Sequence, residues 1–534
     1  TGAPTTPSLT WETNGNDTQV ITGFSVPGLN QDTVNYQDFA LTIPSKIDNK
    51  DVVELAGNSF SNDGLFTAIT IPSNVRRIGD NSLSNMWRLK TLDLGSGLVT
   101  IGDNAIQNNQ SLKRLTLPDS LELVGSYSVN NLTGLKSLTI NATSSLTTLG
   151  DGAISYLAKI TTLRIPEHVE AIGYGALMSL DRVKSFIVAD ANANFKSVAG
   201  VLYSKDGARI LVYPQGKKYI AKYDIPSGVT TIDEAAFAGA AIGTVTIPAT
   251  VADINWCAFC ASNSDASDIS AIQVDPTSEN YKSISDVLYS KDGSSLIQFP
   301  NQKSGTFVVP ESVNYVWGGA FRNAEKVTSI ALPSSVMYLE QSSFENDFAL
   351  KTIVIPGGVV SIYDSAFNND HNLTNIVFLG DTPPELGSGV FSRVPASAKV
   401  WNTVTNADWT EAFDTDYDRF KQGTTTKIAY APTAAASSKA RITGKAKVGK
   451  VLTAKTGKWT TNTLLPTTFS YMWYTCEVLN TTHAWGETCG PIDGATASTY
   501  KLTANEKGKF VYAVIVASGI GHATQISAPT GLVQ

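Results

Sequence analysis

The sequence predicts a mainly β chain: a solenoid of stacked short coils carrying two hairpin inserts, followed by a small β-sandwich. Three observations predict it. A word of the form apolar-Pro-x-x-apolar recurs from Ile43 to Val359. With degenerate copies such as LGSGL from Leu94 filling the gaps, the starts fall 23 residues apart over Ile71, Leu94, Leu117 and Ile140, and again over Val309, Leu332, Ile355 and Phe378. The heptapeptide VLYSKDG stands twice, at 201–207 and 287–293. A fixed period of this size is solenoid spacing, in which each unit is stable only when stacked on its neighbours.

Composition narrows the class. The chain has 534 residues, 42% of them hydrophobic, a mean hydropathy of -0.03, a net charge of -7 and a pI near 5.3. That balance makes a globular chain and offers no basic surface that would make nucleic acid the default partner. No stretch approaches the roughly 18 consecutive apolar residues of a membrane helix, so no transmembrane segment is expected. The chain opens at Thr1 without a signal peptide, which reads as a mature or trimmed form. The four cysteines form two close pairs, Cys257 with Cys260 and Cys476 with Cys489. Such pairing in an otherwise Cys-free chain predicts two local disulfides and an oxidising compartment.

Residues 1–40 lack the repeat but hold Trp11 and the word VITGFSVPG, and are expected to cap the first coil. Residues 41–423 carry the coils and their closing cap. One unit runs from Leu89 to Ile106 and generalises to L-x-x-I-x-I-P-x-x-V-x-x-I-G-x-x-A-F. The I-x-I segment alternates with period two, so it is a short strand, and the proline ends it where a lost N–H matters little. The V-x-x-I step and the Ala-Phe pair return apolar side chains beneath that strand. Each unit supplies about five core side chains at roughly 1.5–3 kcal/mol apiece, too little to order it alone. Stacking is therefore obligatory.

The spacing widens to 37 between Val188 and Ile225 and to 35 between Val274 and Val309, and VLYSKDG lies inside both gaps. VLYS and the following RILVYP or SLIQFP alternate as strands, with Asp206-Gly207 and Asp292-Gly293 as positive-φ residues of a tight turn. Each insert is expected to replace the V-x-x-I-G-x-x-A-F half of a unit. A calcium reading of these Asp-Gly pairs would need several more oxygen ligands nearby.

IPSNVRRIGDNSL, IPSGVTTIDEAAF and LPSSVMYLEQSSF, together with the insert SVAGVLYSKDGARILVYP, resemble the BspA-like leucine-rich repeats of bacterial and protist surface proteins over about residues 40–400. The resemblance implies a right-handed β-solenoid on a secreted or wall-attached protein, often an adhesin. From Phe378 the pattern decays through Pro383-Pro384 and Trp401 into a closing cap. Residues 424–440 are rich in Thr, Ala and Ser and read as a linker. Residues 441–534 show short alternating strands with frequent turn signals and resemble bacterial Ig-like modules, which implies Trp473 as core tryptophan and a spacer role. Cys476 and Cys489 flank a loop and are expected to staple one hairpin, and Phe510 stands where a tyrosine corner would have Tyr.

Catalysis needs titratable groups gathered at matched pKa. The four histidines, His168, His371, His483 and His522, have no second ligand at metal spacing, and HExxH, GxSxG and Walker-type loops are absent. The expectation is no enzyme, no cofactor and no metal. WCAFC at 256–260 looks like a thioredoxin-type redox word, yet it sits in repeat register. Phe259 is then a core residue, and Cys257 and Cys260 flank it as a structural disulfide.

The outward strand position runs Thr70, Asp93, Thr116, Thr139, Arg164, Ile187, Asp224, Thr246, Gln273, Val308, Ala331, Val354, Val377. Its last four members would make an apolar strip with neighbours roughly 4.8 Å apart. That strip is the candidate binding surface, unless valine merely suits strands or the C-terminal segment folds over it. The expected partner is a protein or glycoprotein, including one of a host. Self-association in the envelope is the first alternative. A carbohydrate-binding module is the second, with Trp87, Trp317 and Tyr338 as scattered aromatic platforms.

Overall fold

The computed structural model describes residues 7–25, 39–260, 268–402, 439–459, 468–479, 489–519 and 521–534. The expected linker, 424–440, falls outside these residues except for its last two, and His483 falls outside them as well. The chain divides into two compact units. One comprises Thr1–Ala221, Ile225–Ile242 and Thr250–Asp268, the other Lys222–Asp224, Gly243–Ala249 and Ile269–Gln534.

In the first unit the predicted I-x-I strands pair in parallel register, Phe66–Thr70 with Thr91–Asp93, Arg114–Thr116 with Ser137–Thr139, and Thr162–Ile165 with Ser185–Val188. A second row of strands lies at the V-x-x-I steps, where none was predicted. Arg77–Ile78, Thr100–Ile101, Leu123–Val124, Thr148–Leu149 and Ala171–Ile172 form one parallel ladder. Two residues are too few for alternation to show in a sequence; the strand exists because the next coil supplies its hydrogen bonds. The glycine that follows each step allows that approach, since a Cβ on Gly125 would lie 2.6 Å from the carbonyl carbon of Gly102.

The Ala-Phe places close each coil. There Leu83, Ile106, Val129, Ile154 and Leu177 are fully or almost fully buried, and their turns bond coil to coil: Ile106 N–H donates to Ser128 O at 3.1 Å and Val129 N–H to Ala153 O at 2.8 Å. Asn85, Asn108 and Asn131 adopt positive φ beside them, and each Nδ2 donates to the Oδ1 of the asparagine one coil before, Asn62, Asn85 and Asn108 respectively. At the start of the stack, the hairpin of Ser8–Thr13 and Gln19–Ser25 joins this ladder through Lys50–Leu55.

The first insert is a three-stranded antiparallel meander, Phe195–Val198, Val201–Ser204 and Arg209–Val212. Its two-residue turn is Ala199-Gly200, with φ of 50° and 84°, the left-handed pair a tight hairpin favours. At Lys205-Asp206-Gly207 the expectation is corrected. Only Gly207 has positive φ, at 87°, while the Asp206 carboxylate accepts from Ser204 Oγ at 2.6 Å and Ala208 N–H at 2.9 Å. A bulged turn needs one left-handed residue where a two-residue turn needs two. The return strand fills the place of V-x-x-I by pairing Ile210 with Ile232, and Tyr213 stacks on Phe237 at 5.8 Å.

In the second unit the insert recurs as Tyr281–Ile284, Val287–Ser290 and Ser295–Gln298, with Ser285-Asp286 as its left-handed pair. The ladder continues through Tyr315–Val316, Tyr338–Leu339, Ser361–Ile362 and Glu385–Leu386. Its core column is aromatic: Phe299, Phe321, Phe344, Phe367 and Phe391 stack at 5.1, 4.9, 4.9 and 5.5 Å. Lys399–Asn402 closes the other row against Asn375–Phe378.

The C-terminal module has two antiparallel sheets. Arg441–Thr443, Val451–Lys455 and Thr499–Lys501 form one, and Cys489–Pro491, Thr468–Cys476, Phe510–Gly519 and Gly521–Ile526 the other. Trp473 is fully buried with Leu452, Leu502, Val511 and Ile515, and its Nε1 donates to Ala497 O at 2.9 Å.

Candidate interaction surfaces

The predicted apolar strip is in register, Val308 beside Ala331 and Val354 beside Val377, but it is not an exposed surface. Ala331 is 8% and Val377 1% exposed, and Val308 and Val354 are half-buried. Two covers account for this. Val514 and Val516 of the C-terminal module, with Met472, Tyr474 and Ile526, pack on Val308 and Ala331. Trp401 and Leu379 pack on Val354 and Val377, with Trp401 Nε1 donating to Asn375 Oδ1 at 3.1 Å.

Why the module sits there follows from its own strands. In Phe510–Gly519 the residues Val511, Ala513 and Ile515 face the module core while Tyr512, Val514 and Val516 face outward, and all are buried. A strand apolar on both faces needs a layer on each, and the strip supplies the second. Polar contacts fix the seating. The backbone N–H of Ser285 donates to Asp493 Oδ1 at 3.4 Å, Gly494 N–H donates to Ser285 Oγ at 3.2 Å, and Thr524 Oγ1 to Glu311 Oε1 at 3.1 Å. Burial raises the carboxyls of Glu311 and Asp493 and the phenol of Tyr474, the last to about 12.

The outward row of the first unit remains open. Thr70, Asp93, Thr116 and Thr139 are exposed, and Ile187 is 39% exposed. His168 is tied to a turn, its Nδ1 3.0 Å from Ser144 O. Of the predicted aromatic platforms, Trp87 lies in the first unit and Trp317 and Tyr338 in the second. Trp87 is 50% exposed over Gly64, where a Cβ would meet the indole at 2.2 Å, whereas Trp317 and Tyr338 are half-buried.

Both cysteine pairs form disulfides, with Cα–Cα distances of 4.9 Å for Cys257–Cys260 and 4.1 Å for Cys476–Cys489. Cys257 and Cys260 are 7% and 1% exposed in a turn, and Phe259 stacks on Phe237 at 5.2 Å. A redox pair needs an accessible first sulfur at a helix N-terminus; this one is buried in a coil. Cys476 and Cys489 face each other across paired strands.

One feature escaped the sequence reading. A cavity of about 190 Å³ opens in the first unit among Tyr174, Gly175, Leu177, Met178, Arg209, Gln215, Asp233 and Glu234. Arg209 is held by Asp233 through Nε–Oδ1 and Nη2–Oδ2 contacts of 3.2 and 2.7 Å. Burial raises the Glu234 carboxyl to about 7. The signal lay in IDEAAF, which carries Asp233-Glu234 where the preceding coils read Gly-Asp, Gly-Ser or Gly-Tyr.

Among the described residues no group of three His, Cys, Asp or Glu side chains is placed to hold a metal ion, and no helix is long and apolar enough to cross a membrane. The BspA type leucine rich repeat region matches the chain in six copies over residues 53–184, 215–302 and 296–406. No curated protein matches it. Similar solved structures include a leucine rich cell surface protein from Faecalibacterium prausnitzii, with 20% identity, 76% of this chain and 95% of that one covered and a TM-score of 0.40. The pneumococcal vaccine antigen PcpA has 19% identity, coverage of 76% and 94% and a TM-score of 0.42. A leucine-rich repeat protein from Bacteroides ovatus has 16% identity, coverage of 74% and 93% and a TM-score of 0.34.

Proposed function

The chain belongs to the BspA-type leucine-rich repeat family, and we propose that it is a non-enzymatic bacterial cell-surface protein whose solenoid holds a protein or glycoprotein partner, in adhesion or host contact. The observation that carries this reading is the open polar row of the first unit. Thr70, Asp93, Thr116 and Thr139 stand outward from successive coils on rigid, hydrogen-bonded strands. Such a row presents donors and acceptors at strand spacing without an ordering cost on binding. The C-terminal module, which we take as Ig-like, covers Val308 and Ala331, and Trp401 and Leu379 cover Val354 and Val377, so the polar row of the first unit is the outward row we assign to a partner.

The test is surface capture of the purified chain against extracellular-matrix proteins, mucins, glycans and the chain itself. A saturable protein or mucin partner should be lost at least tenfold on replacing Thr116 and Thr139 together by Arg. Undiminished binding by that variant moves the site elsewhere, and capture of the chain by itself alone replaces this reading with a self-associating envelope component.

A further inference from the structure

We propose that the cavity beside Glu234 is a binding site for one neutral sugar residue, such as the terminal residue of a glycan. It exists because the first insert interrupts the stack. In the coil before, Gly152 N–H donates to Tyr174 O at 2.8 Å and Ile154 N–H to Ala176 O at 2.9 Å. Gly175 and Leu177 hold the same places one coil later, yet among the described residues their amides reach no carbonyl, because the chain leaves for the meander of residues 195–212 instead of laying down the next rung. Both amides therefore line the cavity as unspent donors.

The opposite wall carries acceptors. The Glu234 carboxylate has neither an ion pair nor a hydrogen bond among the described residues, and Gln215 Oε1 is buried without a partner while its Nε2 donates to Ala238 O at 2.7 Å. Arg209 is neutralised by Asp233. Tyr174, 49% exposed, and Met178 add apolar surface.

These groups select the ligand class. An anion would meet the uncompensated Glu234 carboxylate. A bare ammonium would leave the amides of Gly175 and Leu177 unmatched, at the penalty an unpaired buried donor carries. A neutral pyranose offers hydroxyls that donate to Glu234 and Gln215, oxygens that accept from the amides, and a C–H face for the Tyr174 ring. The volume is below the roughly 300 Å³ at which drug-sized pockets begin, which limits the ligand to about one ring.

The experiment is titration of the full chain with glucose, galactose, mannose, fucose and N-acetylglucosamine, followed by saturation-transfer NMR, with N-acetylneuraminic acid and lysine as charged comparators. At least one neutral sugar should saturate with a Kd below about 10 mM. Tyr174→Ala and Glu234→Ala should each weaken it at least tenfold, with thermal unfolding unchanged for the exposed Tyr174 variant. No saturation by any neutral sugar, binding that survives both substitutions, or saturation by a charged comparator alone would overturn the proposal. The macromolecular reading stands apart from this outcome, because the Thr116 and Thr139 row lies outside the cavity.

Discussion

The two units solve one problem with different residues. In the first, Asn109 sits in the turn that follows the core place: its Oδ1 accepts Met86 N–H at 2.7 Å and its Nδ2 donates to Leu83 O and Ile106 O, both at 2.9 Å. In the second, the same place holds Asp347 and Asp370. Their Oδ1 atoms accept Ala324 N–H at 2.9 Å and Asp347 N–H at 2.8 Å, but Oδ2 of each is buried without a partner among the described residues. An amide can donate to two carbonyls and a carboxylate cannot. Burial, and for Asp347 the neighbouring Asp370, therefore raises these carboxyls well above the usual range. The core column also varies along the coils, aliphatic through Leu83, Ile106 and Val129, aromatic at Tyr213, Phe237 and Phe259 later in the first unit, and aromatic from Phe299 to Phe391 in the second. The lesson is that equal backbone geometry leaves room for unequal energetics, set coil by coil by which side chain fills the same place.

The comparison can be broken most forcefully at the cores. Phe344→Ala should destabilise its unit by about 3–5 kcal/mol and Ile106→Ala by about 2–5 kcal/mol, nearer the lower end, read by local hydrogen exchange in each unit. Equal losses would dissolve the contrast between aromatic and aliphatic columns. Val514→Asp comes next: it sets a carboxylate against Val308 and Ala331 and should weaken the module's seating by about 3 kcal/mol. Faster exchange at Thr306–Ala331 with unchanged exchange at Arg114–Thr139 is the expected result, and unchanged exchange in both would deny that the module covers the strip.

Exchange of the turn residues sharpens the electrostatic difference. A carboxyl whose folded pKa is raised lends stability that is whole below its unfolded pKa and is lost as pH rises through the folded value. Asp347→Asn should thus stabilise the chain by about 1–3 kcal/mol at pH 7, with the gain shrinking as the pH falls toward 4. Asn109→Asp should do the reverse in the first unit. Thermal unfolding at both pH values checks the pair; a pH-independent gain would sink the explanation. Smallest is Ser285→Ala, which removes one hydrogen bond to Gly494 and should loosen the module by about 0.5–1.5 kcal/mol. The matching Ala199→Ser in the first insert should do nothing measurable.

Much of this was legible beforehand. The period, the I-x-I strand, the inserts and both disulfides are local or repetitive features, and repetition averages away local noise. The need for a second layer on one C-terminal strand was legible too, in FVYAVIVA, a run without polar alternation that marks a strand buried on both faces. For Val308, Ala331, Val354 and Val377 the alternative that the C-terminal segment folds over the strip is the one the structure favours at Val308 and Ala331. The cavity was legible only at one wall, where Asp233-Glu234 replaces the Gly-x of the preceding coils; its amide donors were not, because they depend on where hydrogen bonds fail to form after a meander, and Gly175 and Leu177 look like every other coil in the sequence.

By itself, then, the sequence determined the coil, since a 23-residue period with one inward face per strand admits little else but a stack. Tertiary structure decided the second row of strands, whose two residues gain their bonds only from the next coil. It also decided which outward row is covered and which stays open. The physical reason is common to both. A backbone donor or an apolar side chain declares its need in sequence, whereas the partner that meets the need is chosen by three-dimensional proximity.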